Sequence, residues 1–261
     1  MDILSEIVSN KRKEVAASKE LYPVKLLENS IYYQSKPVSL KKYLQRDDKS
    51  GIIAEIKRKS PSKGQINTHV SVERTSIGYM QAGASGLSVL TDKEYFGGSS
   101  DDLKVARAFN FCPILRKDFM IDEYQVIEAK SIGADVILLI AASLEKSEIE
   151  KLGGLAQSLG MEVLLEVHNE EELERSITDK VDLIGVNNRN LKTFETDVKT
   201  SFDLAELIPS EFTKVSESGI SDPDTIKQLK QYGYEGFLIG ETFMKNGRPE
   251  KAAKEFIKQL I

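Results

Sequence analysis

The chain has 261 residues, 40% of them hydrophobic and 30% charged, which suits one large globular domain or two small ones. Its net charge of −5 argues against a general affinity for nucleic acid or anionic membrane, though not against a local basic pocket. Cys112 is the only cysteine, so no intrachain disulfide can form, and between Phe111 and Pro113 it reads as a buried structural thiol.

The N-terminal stretch MDILSEIVSNKRKEV has the pattern of an amphipathic helix and lacks the apolar core of a signal peptide. No segment approaches the ~18 apolar residues of a membrane span, so a cytoplasmic protein with no membrane partner is expected. Ile3, Ile7 and Val15 share a helical face among many charges, and Leu26, Leu27, Leu40, Tyr43 and Leu44 suggest two further short helices. Residues 1–50 therefore form an N-terminal helical extension, packed as a plug on one end of the remaining chain's fold or as a lid over its site.

From Gly51 onward, apolar runs alternate with stretches of helical period. The expected strands are Ile52–Lys57, Gly86–Thr91, Ile114–Lys117, Val136–Ala141, Glu162–Val167, Asp182–Asn187, Thr213–Glu217 and Gly236–Ile239. Several are announced by a helix-ending glycine and a short turn, as in Gly83-Ala84-Ser85-Gly86 and Gly133-Ala134-Asp135. Pro223 and Pro249 sit where helices begin, and Ala253, Phe256, Ile257 and Leu260 mark one face of the last helix. Eight such units over residues 51–261 predict a (β/α)8 TIM barrel of the α/β class, forming one structural domain with the extension. A doubly wound sheet would have fewer strands, and no G-x-G-x-x-G follows the first one.

Strands of a parallel barrel are buried on both faces, so charges in them are informative. The segment GIIAEIKRKSPSKG places Ile53, Glu55 and Lys57 on one face of the first strand. Leu115 and Lys117 share a face, as do Leu164 and Glu166, and Gly185, Asn187 and Arg189 are in step. If those faces point inward, six polar side chains converge at the C-terminal mouth, where this fold builds its active sites. Buried charges there must pair with one another or with a ligand. Arg58, Lys59 and Lys63 read instead as solvated surface residues. His168 reads as the beginning of a helix and His69 as surface, and with no HxxxH or CxxC no metal is expected. The segments VSESGIS and FLIGETFM end the last two strands, where Gly219, Gly240 and the Ser218 hydroxyl suit a phosphate.

The words IIAEIKRKSPSKG, LSVLTDKEYFGG, PILRKDFMIDEYQV, GADVILLI, LLEVHNEEEL, IGVNNRNL, VSESGI and GFLIGETFM occur in one order across the chain. In that order they resemble indole-3-glycerol-phosphate synthase of tryptophan biosynthesis, and ILSEIVSNKRKEV is similar to that family's first helix. The length leaves no room for an appended second barrel. The resemblance implies a cofactor-free carbon–carbon lyase. It would close the ring of 1-(2-carboxyphenylamino)-1-deoxyribulose 5-phosphate, releasing CO2 and water. It implies that Lys117 is the general acid and Glu166 the general base. Lys57 would contact substrate anions and assist proton transfer, Glu55 would orient the lysines and help in dehydration, and Asn187 would hold polar groups of the substrate. Ser60 and Pro61 would border the substrate, Phe96, Phe119, Leu138 and Leu191 would wall its aromatic ring, and Arg189 would lie near its carboxylate. Ser218, Gly219, Ile239, Gly240 and Glu241 would hold the phosphate; Glu241 stands where some relatives have serine, so its side chain should point away. The chain has no Trp, so any lid tryptophan of relatives is missing. A small phosphorylated substrate is the one partner implied, for a protein that is a monomer or at most a weak homodimer. Two lysines close together should lower each other's pKa, and apolar neighbours should raise that of Glu166.

Overall fold

The computed structural model describes residues 3–191 and 193–260. After the first strand, β1 (Ile52–Ile56), comes a two-stranded hairpin, β2 (Lys59–Ser60) and β3 (Gly64–Gln65), which the sequence pattern did not announce. The rest are β4 (Gly86–Leu90), β5 (Ile114–Lys117), β6 (Val136–Ile140), β7 (Glu162–Val167), β8 (Leu183–Asn187), β9 (Thr213–Glu217) and β10 (Tyr234–Ile239). All but the hairpin pair in parallel, and β1 closes the barrel by pairing with both β4 and β10. The eighth barrel strand starts two residues before its expected position, because Tyr234 already pairs with Lys214 ahead of an irregularity at Glu235.

Side chains alternate as the pleat requires. Ile52, Ala54 and Ile56 of β1 pack outward with residues such as Leu103, Ile226 and Phe256 of the surrounding helices. Ile53 points inward, with Leu115, Val136, Leu138, Leu164, Leu183, Val215 and Leu238. The inward residues of the lower and middle barrel are mostly apolar, with Glu162 at the base of β7 accepting from Ser39 and the Leu40 and Lys41 backbone of the plug, and charges gather at the upper ends of the strands.

The N-terminal segment covers both ends of the barrel. Helix α1 (Ile3–Leu21) lies at the C-terminal mouth, where Ile3, Leu4 and Ile7 line the central cleft. A short α2 (Val24–Glu28) precedes α3 (Leu40–Leu44), whose Leu40 and Leu44 join the interior cluster from below. Leu40 reaches the space beside Gly86 at the base of β4. The extension is thus a plug at one end and a wall at the other.

One lysine seats α1. Lys11 is 1% exposed, and its ammonium lies 2.9 Å from each of Asp92, Asp118 and Glu14. Burial alone would depress its pKa, but Asp118, Asp92 and Glu14 outweigh that and hold it charged. Asp92 accepts the backbone N–H groups of Tyr95 and Phe96, and Asp118 accepts that of Phe119. The same ion cluster therefore shapes the loops that carry the Phe96 and Phe119 rings. The sequence held the signal, since Lys11 falls midway between Ile7 and Val15 on the buried stripe. Lys11→Met would leave buried Asp92 without its cation and Asp118 with Arg116 alone, at a cost of about 3–5 kcal/mol. The expected result is a lower urea midpoint and faster amide exchange over Ile3–Leu21; unchanged protection of that helix would contradict it.

Candidate active site

The strands deliver their polar ends to one cleft of about 1200 Å³, open to solvent. Glu55, Lys57, Lys117, Glu166, Asn187 and Arg189 all line it. The lysines are kept apart by carboxylates. Lys57 pairs with Glu55 at 2.6 Å, and Lys117 lies 2.5 Å from Glu166 and 3.2 Å from Glu217. Glu55 is buried, and Ser88 on the neighbouring strand donates to it at 3.4 Å. Asn187 donates to Glu166 at 3.1 Å while its own oxygen accepts the backbone N–H of Arg189. Two glycines make room for this charge layer. A Cβ at Gly240 would meet the Glu55 carboxylate at 2.3 Å, and one at Gly185 would meet that of Glu217 at 2.3 Å.

The electrostatics correct the expectation from sequence. Lys117 is largely removed from solvent, which by itself would lower its pKa, but Glu166, Glu217 and Glu55 overcome this and raise it. Burial likewise pushes Glu166 up, yet Lys117, His168 and the hydrogen bonds from Lys117 and Asn187 bring its carboxyl well below the usual range. The apolar neighbours in VLLEVH predicted the opposite, because they gave no sign of a lysine 49 residues away. Lys117 and Glu166 are consequently held as ammonium and carboxylate at neutral pH.

The carboxyl pushed upward is Glu217, which the sequence pattern did not single out. Burial raises it, Glu166 and Glu55 add to this, and Lys117 only partly offsets them, leaving it at about 7. Its signal was alternation: Val215 points inward, so Glu217 must as well. Below its ordinary range Glu217 is neutral folded or unfolded. As pH climbs from there to about 7, the unfolded chain releases a proton that the folded state keeps, so stability falls across that window and levels off once the folded carboxyl has ionised too. Glu217→Gln cannot ionise, so its melting temperature relative to the natural chain should improve between pH 5 and pH 8. Thermal melts showing the reverse trend would contradict the raised carboxyl.

Aromatic and aliphatic side chains form the other side of the cleft. The Phe96 and Phe119 rings stand 6.0 Å apart, and Leu138, Leu191 and Ile239 line the same space with Ser60 and Pro61. Phe194 and the three α1 residues were not foreseen as lining. Opposite, Ser218 and Gly219 line the cleft beside Gly240, both in the left-handed region with φ of 68° and 76°. Glu241 also lines the cleft, with its carboxylate 3.4 Å from both Arg189 and Lys63, while Arg189 donates to Ser62 at 2.6 Å. Arg58, expected at the surface, is ion-paired with Asp102 and half-buried, and Lys59 donates to the Glu94 carbonyl. His168 does precede a helix, but its ring is buried and turned toward Glu166. Cys112 lies below the barrel, with burial first among the causes that push its thiol up to about 12. Among the described residues no group of three or more His, Cys, Asp or Glu is arranged to hold a metal, and no helix is long and apolar enough to cross a membrane.

The family model for indole-3-glycerol phosphate synthase matches residues 4–256. The chain belongs to the indole-3-glycerol phosphate synthase family. An indole-3-glycerol phosphate synthase of Bacteroides thetaiotaomicron is 50% identical over 259 residues, covering 99% of both chains. Relatives of the same name from Burkholderia ambifaria and Dechloromonas aromatica are 42% and 43% identical, over 98% and 95% of this chain and 99% and 96% of theirs. Among solved structures, KGPDC from Streptococcus mutans aligns with a TM-score of 0.60 at 15% identity, over 80% of this chain and 97% of that one. That likeness speaks for the barrel alone, whereas the family match spans both the extension and the barrel.

Proposed function

We propose that this protein is an indole-3-glycerol-phosphate synthase, a carboxy-lyase of tryptophan biosynthesis. It converts 1-(2-carboxyphenylamino)-1-deoxyribulose 5-phosphate into indole-3-glycerol phosphate, CO2 and water. The observation that carries this is Lys117, an ammonium set between Glu166 and Glu217 at the head of an apolar cleft. Ring closure needs an acid at the ketone oxygen, a base for the proton lost as the new ring becomes aromatic, and a bent substrate held rigidly. Lys117 supplies the acid and Glu166 the base, each already in its working protonation state.

Loss of the hydroxyl as water calls for a second acid. Glu217, at about 7, can give up or accept a proton near neutrality, and Glu55 tethers Lys57 in the same cleft. The aromatic ring lies against Phe96, Phe119, Leu138 and Leu191, with its carboxylate toward Arg189 and Lys57. The phosphate is held by Ser218, Gly219, Ile239 and Gly240, largely through backbone N–H groups. Glu241, drawn to Arg189 and Lys63, contributes its backbone rather than its side chain. The chemistry needs no cofactor, and we read the protein as a cytoplasmic monomer whose partner is this small anion.

The test is turnover of that substrate followed by indole fluorescence, against the low background of a chain without Trp. Formation of the fluorescent product supports the reading. Binding without turnover would make this a ligand-binding barrel.

A further inference from the structure

One buried titratable group at the mouth has no part in the chemistry above. His168 follows β7, immediately beyond Val167 and two residues from Glu166. Its Nδ1 lies 3.0 Å from Oε2 of Glu172, on the helix Glu170–Ser176. That same oxygen accepts the backbone N–H of His168 at 2.9 Å, and the other oxygen of Glu172 accepts from Asn169 at 3.3 Å. Glu172 is thus fixed as an acceptor, and Nδ1 must carry a proton. The opposite nitrogen, Nε2, is buried without a hydrogen-bond partner and stands 3.5 Å from Oε1 of Glu166. A bare lone pair facing a carboxylate would be repulsive. The pair is attractive only when one proton lies between them.

We propose that His168 is a positioning residue for the base: clamped by Glu172 through Nδ1–H, it turns Nε2–H toward Oε1 of Glu166 and holds that carboxylate ionised and in place. The inference rests on the reading of Glu166 as general base. Because Glu166 rests as a carboxylate beside Lys117, the proton between it and the imidazole belongs to Nε2, so His168 is an imidazolium between two carboxylates. Asn187 donates to the same oxygen, Oε1, and Lys117 to Oε2, so His168 completes a three-sided grip on Glu166.

The charged groups facing His168 are Glu166 on β7, Glu172 with Arg175 beside it on the following helix, and Glu217 on β9, with Lys117 of β5 beyond Glu166. The adjoining turn, Ala141–Ser143, brings no titratable group. Burial alone would lower the imidazole pKa, but the hydrogen bond to Glu172 and the nearby carboxylates reverse this and raise it.

With two histidines in the chain, a nitrogen-15 imidazole spectrum resolves His168 from His69 without any need for turnover. Both nitrogens of His168 should carry protons at neutral pH, and the imidazole midpoint should fall by roughly one unit or more in Glu166→Gln. His168→Gln should lower kcat roughly tenfold or more, with KM within about twofold, and shift the pH profile. Glu172→Gln, which keeps His168, should show a smaller loss in the same direction and guards against His168→Gln failing to fold. A His168 midpoint indifferent to Glu166→Gln, or a kcat profile unchanged in both the His168 and Glu172 variants, would overturn the proposal. A natural chain silent toward the substrate would instead count against the parent reading and leave the spectral test standing.

Discussion

Lys117→Met is expected to lower kcat by about three orders of magnitude or more. On the proposed mechanism the ammonium is the acid, and its charge also keeps Glu166 ionised beside Glu217. Without it, two buried carboxylates face each other with no cation between them. They then share a proton, as closely placed acids do, and the base is lost together with the acid. Removing one partner of a buried pair also costs about 3–5 kcal/mol, an upper figure here because protonation relieves part of it. Loss of kcat in a chain that still melts cooperatively and binds the substrate is the predicted result. Activity within tenfold of the natural chain would show that the acid lies elsewhere.

Glu166→Gln is the cleaner companion. The amide matches the carboxylate in shape, and Lys117 keeps Glu217 as a partner, so the fold should survive with little loss. The base is gone, and kcat should drop by about 10²- to 10⁴-fold with KM little changed. A second consequence has a definite sign. After burial, Glu166 is one of the groups that push Glu217 up. With Glu166 neutralised, Glu217 is left with Lys117, so its titration should move from about 7 toward the acid range. A Glu166→Gln variant retaining more than a tenth of the activity, or a Glu217 titration that stays in place, would contradict the arrangement.

How far the sequence reaches is clear from particular residues. The barrel was legible because each strand is a buried apolar run set off by turns, and boundaries slipped by at most two residues, as at Tyr234. The mouth was legible wherever a charge interrupted such a run, as with Glu55, Lys117 and Glu166. Glu217 escaped because its neighbours Ser216, Ser218 and Gly219 have the pattern of a phosphate turn. Lys11 escaped because charges are common on a surface helix, and nothing in α1 names Asp92 or Asp118 as its partners. The protonation states escaped for the same reason. Burial can be read from neighbours in the chain, but ion pairs across 49 residues cannot, and here the pairs outweigh the burial. His168 showed its place beside a helix but not the direction of its ring.

The central claim is that the Lys117–Glu166 pair carries out the ring closure. The most direct measurement is a single turnover of the carboxyphenylamino-deoxyribulose phosphate by the natural chain and by Lys117→Met, side by side, recording both indole fluorescence and CO2. The account predicts equal amounts of indole product and CO2 from the natural chain, and from the variant bound substrate with neither. Equal turnover by both would remove Lys117 from the chemistry. Binding by both with no product from either would remove the chemistry itself.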